Sequence, residues 1–526
     1  MPRPGECAPV SARRHPAAAP LLPAALLLTA GLVASACAPG EPELEPVAFA
    51  PVQVAAFADG NTLTDAWADF DGDGDPDRFV GFNGEASRLY RNDGAGGFAD
   101  AAAEVGLLVT RRVRTSAWGD FDADGDPDLL LGYAPDSLAP GALALWRNEG
   151  GTAFTEVGAD VGLALDSVAT RQASWVDFDA DGDLDLFLAF RDAPNRLWRN
   201  DAGAFVDASG PTGIGDPRRS VGAVWFDADE DGDLDVYVAN MDGDANGMWV
   251  NEGERFYDRA EEWGLAGGGR ALGDGAQGSV RPCVVDYDRD GHLDLFIANY
   301  GTNGLFRNPG PGARWESVAD SVGLAEDSHF DTCAWADFDH DGWPDLYVNG
   351  TVTGGVSYRD FLYRRQAGRF ADVTPPELLV EADHGATWVD YDMDGDLDLA
   401  LTGTAEGATH ALMQNLLRPE VAFHSVKVMV LDAQGRANQA GAEVRVYVAG
   451  TFELLGSALV DTGSGYDAQN LLPVHFGLPG AQPVDIEVTL VGGGKRITTR
   501  ATGVDPSAWR GKVIRLPFDE EGKLVR

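Results

Sequence analysis

The sequence predicts an all-β protein whose main part is a seven-bladed β-propeller. Three observations lead to this fold class. An Asp-rich loop recurs seven times, successive loops begin 50 to 59 residues apart, and the chain of 526 residues contains 66 Gly and 29 Pro. A repeat of this length suits one four-stranded blade, and Gly and Pro suit short strands joined by turns.

The recurring loop is clearest from Asp177 to Asp185, where the sequence reads DFDADGDLD. Asp stands at places one, three, five and nine, Gly stands at place six, and apolar runs flank the loop. Ca²⁺ takes about six to eight oxygen ligands at about 2.3–2.6 Å, and alternating carboxylates can supply them where a Gly allows a sharp turn. The loop therefore predicts a calcium site, to which place seven adds a backbone carbonyl.

All seven loops keep Asp at places one, three, five and nine and Gly at place six. The candidate ligands are Asp69, Asp71, Asp73, Asp75 and Asp77; Asp120, Asp122, Asp124, Asp126 and Asp128; Asp177, Asp179, Asp181, Asp183 and Asp185; Asp227, Asp229, Asp231, Asp233 and Asp235; Asp286, Asp288, Asp290, His292 and Asp294; Asp337, Asp339, Asp341, Trp343 and Asp345; and Asp390, Asp392, Asp394, Asp396 and Asp398. The predicted cofactor is Ca²⁺, up to seven ions. Mg²⁺ is the alternative, although it rarely takes an all-carboxylate cage.

Two other interpretations of the loop fit less well. An EF-hand has a bidentate Glu at place twelve and a helix on each side. Place twelve is apolar in all seven loops and lies in strand-like runs such as LDLFLAF. An acidic surface turn remains the alternative, because Asp and Gly are common turn residues. A turn does not require the same residues at the same places seven times, so a calcium loop between two strands is favoured.

Each repeat also has the remaining parts of a blade. Trp stands two places before the loop in six copies, a third strand usually ends in Asn, and an aromatic residue opens a fourth strand. Core packing explains the fixed Trp position better than a sugar-stacking platform. The seventh repeat ends at Asn415 without a fourth strand, whereas Phe49 opens a matching segment before the first loop. We therefore expect Phe49 to Phe57 to complete the last blade and close a propeller over residues 47–418.

With its strand flanks, DFDADGDLD resembles the FG-GAP/VCBS repeat, the calcium-loop blade also found in integrin α-subunit heads. The resemblance rests on seven loops in register over about 370 residues. It implies that each loop lies between the first two strands of a blade.

Residues 419–526 form a second predicted unit, a small β-rich domain with strands such as SVKVMVL. It resembles the ASPIC/UnbV domain, which commonly follows such a propeller in bacterial proteins and in cartilage acidic protein. The matching residues are Asn438, Gly441, Gly465, Tyr466, Gln469, His475, Phe476 and Gly477. Val491-Gly492-Gly493 stands where the family tends to carry Trp-Pro. Tyr466 and His475 are candidates for catalysis, but without a nucleophile or metal partner at a readable spacing a core or turn role is favoured.

Residues 1–37 have a basic start and an apolar stretch, as expected of an export signal, and residues 38–46 suit a solvated tether. The signal resembles that of bacterial lipoproteins, which implies lipidation of Cys37. Ala34 stands where that family usually has a larger aliphatic residue, so ordinary secretion is the alternative. The predicted location is the cell envelope, at the outer membrane or cell surface, with membrane contact only through the lipid anchor.

The formal net charge of −45 makes nucleic acid and anionic membranes poor partners. The cage carboxylates account for 28 of the 84 acidic residues, and seven Ca²⁺ would bring the charge to about −31. Cys283 and Cys333 lie on first strands of neighbouring blades, but their distances from the loop differ by one residue. The sequence therefore does not decide whether these two cysteines form a disulfide.

The upstream ends of first strands carry Arg114, Arg171, Asp331 and His384, each six residues before the first Asp of a loop. At a channel mouth these residues could bind an anionic ligand or an acidic glycan. The alternative is a hydrated polar rim that binds no ligand. The leading functional hypothesis is an extracytoplasmic calcium-binding module that binds a protein or glycan in adhesion. A lyase or hydrolase in the channel and a purely structural surface protein are the alternatives, and no catalytic motif in the sequence decides among them.

Overall fold

The computed structural model describes residues 46–135, 142–165, 168–253, 255–267, 278–353, 356–380, 383–404, 409–519 and 521–525. The predicted export signal, the lipidation site at Cys37 and all of the tether except its last residue lie outside these residues. In the described part of the chain, no helix combines the length and apolar character needed to cross a membrane.

Within the described residues, seven sets of four antiparallel strands follow one another, one set for each Asp-rich loop, and strand pairing also joins the fifth set to the sixth. Sheet one contains β2 Thr62–Ala68, β3 Asp77–Phe82, β4 Arg88–Asn92 and β5 Phe98–Asp100; sheet two β6 Val113–Gly119, β7 Asp128–Tyr133, β8 Leu143–Asn148 and β9 Phe154–Glu156; sheet three β10 Thr170–Val176, β11 Asp185–Phe190, β12 Arg196–Asn200 and β13 Phe205–Asp207; and sheet four β14 Ser220–Phe226, β15 Asp235–Asn240, β16 Gly247–Asn251 and β17 Phe256–Asp258.

The later sheets repeat this order. Sheet five contains β18 Gly278–Val285, β19 Asp294–Thr302, β20 Gly304–Arg307 and β21 Glu316–Ser317; sheet six β22 Asp327–Ala336, β23 Asp345–Gly350, β26 Phe361–Gln366 and β27 Arg369–Asp372, with a hairpin of β24 Val352–Thr353 and β25 Val356–Ser357; and sheet seven β28 Asp383–Val389, β29 Asp398–Gly403, β30 Leu412–Asn415 and β1 Phe49–Pro51. Short helices are α1 Ser209–Thr212, α2 Ala260–Trp263, α3 Ala319–Val322 and α4 Pro419–Ala422, with 3₁₀ turns at Pro376–Leu378 and Pro506–Trp509.

The first strands lie at the centre of this arrangement. Each contacts the first strand of the next sheet, and that of sheet seven contacts that of sheet one. Because each sheet is covered on both faces, second strands such as DLFLAF are buried along their whole length. Trp67, Trp118, Trp175 and Trp225 are at most 1% exposed, which confirms the core interpretation for these residues. The predicted all-β fold class is confirmed.

The Asn at the end of the third strand joins neighbouring sheets. Its side-chain nitrogen donates to the carbonyl of loop place two in the preceding sheet, as from Asn148 to Phe70 at 2.8 Å. The same bond from Asn92 to Tyr391 at 2.7 Å links sheet one to sheet seven. In sheet six, where Arg365 replaces this Asn, the guanidinium lies over the Tyr287 ring of sheet five instead. These contacts connect the sheets in a closed series.

The N-terminal strand completes sheet seven as expected, with Phe49 opposite Asn415. The strand is shorter than predicted, because the chain turns after Pro51. Phe57 is buried elsewhere, against Tyr90 and Phe98 of sheet one. This segment therefore contacts two neighbouring sheets.

Cys283 and Cys333 form a disulfide with a Cα–Cα distance of 6.2 Å. The one-residue difference in their offsets does not prevent the bond. Neighbouring sheets pack face to face, so facing side chains come from opposite faces of equivalent strands. Successive strand residues point to opposite faces, so a one-residue offset directs the two cysteines toward each other.

The tail residues form two sheets around their own apolar core. One contains β31 Ser425–Asp432, β35 Val474–Gly477 and β38 Val513–Phe518; the other contains β32 Glu443–Val448, β33 Leu454–Leu459, β36 Val484–Val491 and β37 Arg496–Val504. A further strand, β34 Ala468–Gln469, leaves this domain and pairs in parallel with β6 of sheet two.

Candidate metal loops and the filled channel

Backbone geometry explains the Gly at place six of each loop. All seven of these Gly residues have φ between +86° and +106°, a region that strains other residues. In six loops, the N–H of this Gly donates to the place-one carboxylate, as from Gly182 to Asp177 at 3.0 Å. Place four also has positive φ in every loop, even where a non-Gly residue such as Ala180 or His340 stands there.

The place-nine carboxylate supports the loop from its other end. Oδ2 of Asp185 accepts the N–H of Phe178 at 3.1 Å, and its Oδ1 accepts the N–H of Asn200 at 2.7 Å. Equivalent pairs of bonds occur at Asp77, Asp128, Asp235 and Asp294. Place nine therefore fixes the loop to the second and third strands as well as facing its centre.

The carboxylates converge within each loop. Among the described residues, the clusters whose oxygens lie within 4.8 Å of one another include Asp69-Asp71-Asp77, Asp120-Asp122-Asp128, Asp177-Asp179-Asp185, Asp227-Asp229-Asp235 and Asp286-Asp288-Asp290. Several loop carboxylate oxygens are buried and accept no hydrogen bond, including Oδ1 of Asp227, Asp286, Asp337 and Asp390. A buried acceptor without a donor is costly, so these atoms fit the ligand set of a hard cation.

The same crowding raises the pKa of the loop carboxyls. Burial, aided by neighbouring carboxylates, raises the pKa of Asp77 to about 8 and the pKa of Asp128, Asp185 and Asp294 to about 9. The pKa of Asp177 rises to about 7 for the same reasons. Without a cation, the loop carboxyls cannot all ionise at neutral pH, whereas a divalent cation would favour their charged forms.

Three of the side chains at place seven make hydrogen bonds outside their own loop. Those of Asp126, Asp183 and Asp233 accept backbone N–H groups of other turns, as Asp183 does from Ala202 at 2.9 Å. Their side chains therefore brace the loops. Metal binding by the carbonyls of Asp75, Asp126, Asp183, Asp233, His292, Trp343 and Asp396 stays a prediction.

The tail domain lies against the loops, a contact that sequence reasoning missed. Lys427 Nζ lies 2.6 Å from Oδ2 of Asp390, and Arg496 Nη1 lies 2.6 Å from Oδ2 of Asp227. In both cases the tail cation uses one oxygen of a place-one carboxylate and leaves Oδ1 free. Both pairs are far apart in the chain, so no local sequence signal marks them.

The predicted channel-mouth residues do converge, and they surround a tail residue. Arg114 and Arg171 donate to the Tyr466 hydroxyl at 3.0 and 3.2 Å, and the His384 ring stacks on Tyr466 at 5.4 Å between centroids. Asp331 accepts hydrogen bonds from His384 and from Tyr300. Binding of an outside ligand by these residues stays a prediction.

Tail residues 461–472, which we call the plug segment, run along the first strands. Gln469 binds the backbone of Trp175, Asn470 accepts the N–H of Trp67, and Thr462 binds the backbone of Trp225. With β34 on β6, Thr332 donating to Gly465 and the His384 ring on Tyr466, the plug segment contacts the first strands of sheets one, two, three, four, six and seven. Sequence matching identified Gly465, Tyr466 and Gln469 but not this role.

His475 lies on β35 beside the sixth loop, where its ring centroid is 5.5 Å from that of His340. Burial lowers the pKa of His475 to about 4 and, with the neighbouring His475 and His424, the pKa of His340 to about 3. Both rings are therefore neutral at physiological pH. Neither Tyr466 nor His475 adjoins an activated nucleophile among the described contacts.

Comparison with known families supports the repeat assignment. The model of the FG-GAP-like repeat matches residues 69–131, 177–238 and 286–348. The fold and the loops thus define a nearly all-β protein that contains FG-GAP-like repeats.

The chain is also weakly homologous to cartilage acidic protein. It is 27% identical to cartilage acidic protein 1 of Mus musculus over 386 residues, which cover 71% of this chain and 48% of the mouse protein. It is 26% identical to the Homo sapiens protein over 376 residues, which cover 69% and 46% of the two chains. The chain therefore spans about half the length of these curated relatives.

Solved structures with a similar arrangement are distant. An Agrocybe aegerita lectin that recognises non-reducing terminal N-acetylglucosamine has a TM-score of 0.38 and 18% identity, over 60% of this chain and 80% of the lectin. YCF48 from Cyanidioschyzon merolae has a TM-score of 0.41 and 10% identity, over 70% and 98% of the chains.

Proposed function

We propose that this protein is an exported calcium-binding module whose partner is a protein or a glycan. The observation that carries the proposal is the set of buried, unpartnered carboxylate oxygens that recurs from loop to loop. A structural ion pair or a turn would leave each of these oxygens with a donor. Carboxylates from places one, three, five and nine would hold the ion, which would supply the positive charge that these loops otherwise lack.

Ca²⁺ fits these loops better than Mg²⁺. The donors are nearly all carboxylate oxygens on a bent loop, and Ca²⁺ accepts such irregular sets of six to eight oxygens, whereas Mg²⁺ demands near-ideal octahedral geometry and retains water. The Cys283–Cys333 disulfide supports export, because disulfides persist mainly in oxidising compartments. Export by a lipoprotein signal with a lipid anchor at Cys37 is part of the proposal, with secretion as the alternative.

The filled channel favours binding on the outer surface over catalysis inside the propeller. The plug segment already uses the polar groups of the first strands, and Tyr466 takes the hydrogen bonds of Arg114 and Arg171. A substrate in the channel would have to displace these contacts. We therefore place the partner on exposed surfaces, where the mouth residues Arg114 and His384 remain partly accessible.

Calcium binding can be tested by counting ions. Elemental analysis after equilibrium dialysis should give up to seven Ca²⁺ per chain. Asp181→Asn, at place five of the third loop, should remove about one ion. Asp201→Asn is the matched control, because Asp201 is 47% exposed and pairs with Arg199 outside the loop. A count near zero, or equal loss in both variants, would overturn the calcium assignment.

The partner can be sought by screening protein and glycan arrays with Ca²⁺ and with chelator. We expect capture only with Ca²⁺. An acidic glycan should bind Arg114→Ala less tightly than Arg147→Ala, a control at an exposed arginine. Binding that is unchanged by chelator and by Arg114→Ala would contradict the proposed site. Chemical turnover of a captured glycan would favour an enzyme instead.

A further inference from the structure

Two imidazoles lie close together where the tail meets the sixth loop. His340 stands at place four of that loop, and His475 belongs to β35 of the tail. Their ring centroids are 5.5 Å apart and their planes meet at 39°. The calcium proposal uses neither ring.

Hydrogen bonds determine which nitrogen of each ring carries the proton. His340 Nδ1 lies 3.2 Å from the Val421 carbonyl oxygen, and His475 Nε2 lies 2.8 Å from the Gly395 carbonyl oxygen. A carbonyl oxygen can only accept, so both of these nitrogens must donate. His340 Nε2 and His475 Nδ1 therefore carry lone pairs, and both atoms are buried without a hydrogen-bond partner.

This arrangement has the features of metal-binding histidines. Such residues almost always donate their second N–H to a backbone carbonyl or carboxylate, which fixes the ring. A Zn²⁺ ion about 2.0–2.1 Å from each nitrogen, bound at a tetrahedral angle, would set the two centroids about 5.2 Å apart. The observed 5.5 Å lies close to that spacing.

The backbone around the pair is built for close approach. A Cβ on Gly477 would lie 2.6 Å from Cδ2 of His340 and 2.6 Å from Oδ2 of Asp337. Gly477 therefore lets β35 approach the sixth loop and brings His475 to His340. The backbone of His424 is also nearby, because its N–H donates to the same Val421 carbonyl that His340 contacts.

We propose that His340 and His475 bind a divalent metal ion of the Zn²⁺ class, at a site separate from the carboxylate ligands of the sixth loop. Imidazole nitrogen suits Zn²⁺, Cu²⁺ and Ni²⁺, whereas Ca²⁺ prefers oxygen. The ion would join the tail to the sixth sheet. The site draws one ligand from each part of the chain and is complete only when the tail is docked.

Zn²⁺ and Co²⁺ titrations of the full chain in excess Ca²⁺ test this proposal, since Ca²⁺ masks the carboxylate loops. The variants are His340→Gln and His475→Gln. His329→Gln is the matched control, because its Nδ1 is also buried and unpartnered but its ring lies between Tyr300 and Tyr358. Metal content is measured by elemental analysis, and Co²⁺ coordination by visible absorption.

Wild type and control should bind one Zn²⁺ per chain and show the absorption of tetrahedral Co²⁺. Each variant should bind Zn²⁺ at least about tenfold more weakly and lose that absorption. If a variant folds poorly, ¹⁵N-histidine spectra of the wild type decide, since Zn²⁺ should shift two imidazole nitrogens of opposite type. Absence of a stoichiometric Zn²⁺ site in the wild type, or wild-type affinity in both variants, would overturn the proposal. A Zn²⁺ site without any Ca²⁺ binding would leave this inference standing and refute the calcium proposal alone.

Discussion

Under the calcium proposal, the stability of the metal-free protein should fall as the pH rises. The place-nine carboxyls are buried, and their pKa rises to about 8 at Asp77 and about 9 at Asp128, Asp185 and Asp294. In the unfolded chain the pKa of Asp is about 3.9. A folded pKa above the unfolded value contributes stability that is fully present below about pH 4 and is lost as the pH rises through about 8 to 9.

The expected change is large. In that pH range, each carboxyl that stays protonated only in the folded state lowers the free energy of unfolding by about 1.4 kcal/mol per pH unit. Two such groups already remove about 3 kcal/mol per unit, against a total stability of about 5–15 kcal/mol. Ca²⁺ acts in the opposite direction, because a free concentration ten times the Kd stabilises by about 1.4 kcal/mol per site, or roughly 10 kcal/mol for seven sites.

Urea denaturation at about pH 6, 7 and 8, of metal-stripped and Ca²⁺-saturated protein, measures both effects. The metal-free midpoint should fall steadily with pH, the Ca²⁺-saturated midpoint should change little, and the gap should be widest at the highest pH. Calorimetric titration in two buffers of different ionisation enthalpy should also show proton release on Ca²⁺ binding. A metal-free midpoint that stays constant or rises with pH would refute the reasoning.

Three further predictions concern closure of the ring and the plug segment. In protein lacking residues 1–37, deletion of Val47 to Phe57 should lower the free energy of unfolding by several kcal/mol or cause aggregation, because it removes β1 and buried Phe49; equal melting after deletion of Pro39 to Leu44 would contradict this closure. Asn148→Ala should cost about 1–3 kcal/mol in urea denaturation, because the Phe70 and Pro127 carbonyls lose their donor, and a neutral result would show that this link is dispensable. Tyr466→Phe should cost about 1.5–3 kcal/mol, because the guanidinium groups of Arg114 and Arg171 lose an acceptor; unchanged melting would mean that water replaces the hydroxyl.

The loops and the sheet order could be predicted because their determinants are local. Spacing within nine residues fixes which carboxylates face the loop centre, and the fixed Trp and Asn positions set the strands around it. Closure of the ring by the strand at Phe49 could also be predicted, because the seventh repeat lacks a fourth strand in the sequence. The left-handed conformation at place four was not, because Ala180, His340 and Met393 share no residue type that favours it.

Contacts between segments that are distant in the chain could not be predicted from the sequence. Nothing local to Tyr466 indicates that it lies against Arg114, which is 352 positions away. The disulfide was not predicted for a different reason. Equal offsets would direct two side chains to the same face of equivalent strands, but neighbouring sheets meet through opposite faces. Offsets that differ by one residue direct Cys283 and Cys333 together across such an interface.

Ion pairs couple the docking of the tail to the charge of two Asp-rich loops. Asp227 and Asp390 each use Oδ2 for a tail cation and leave Oδ1 for a bound ion. Arg496 and Lys427 hold these carboxylates in place, but their charge also weakens the attraction of the fourth and seventh loops for Ca²⁺. The third loop receives an uncharged tail contact, from the Asn438 side chain to the Gly182 carbonyl. Under the calcium proposal, Ca²⁺ should therefore leave the fourth and seventh loops first. The freed carboxylates would still hold Lys427 and Arg496, so the tail and its plug segment should stay docked when these two loops lose their ions.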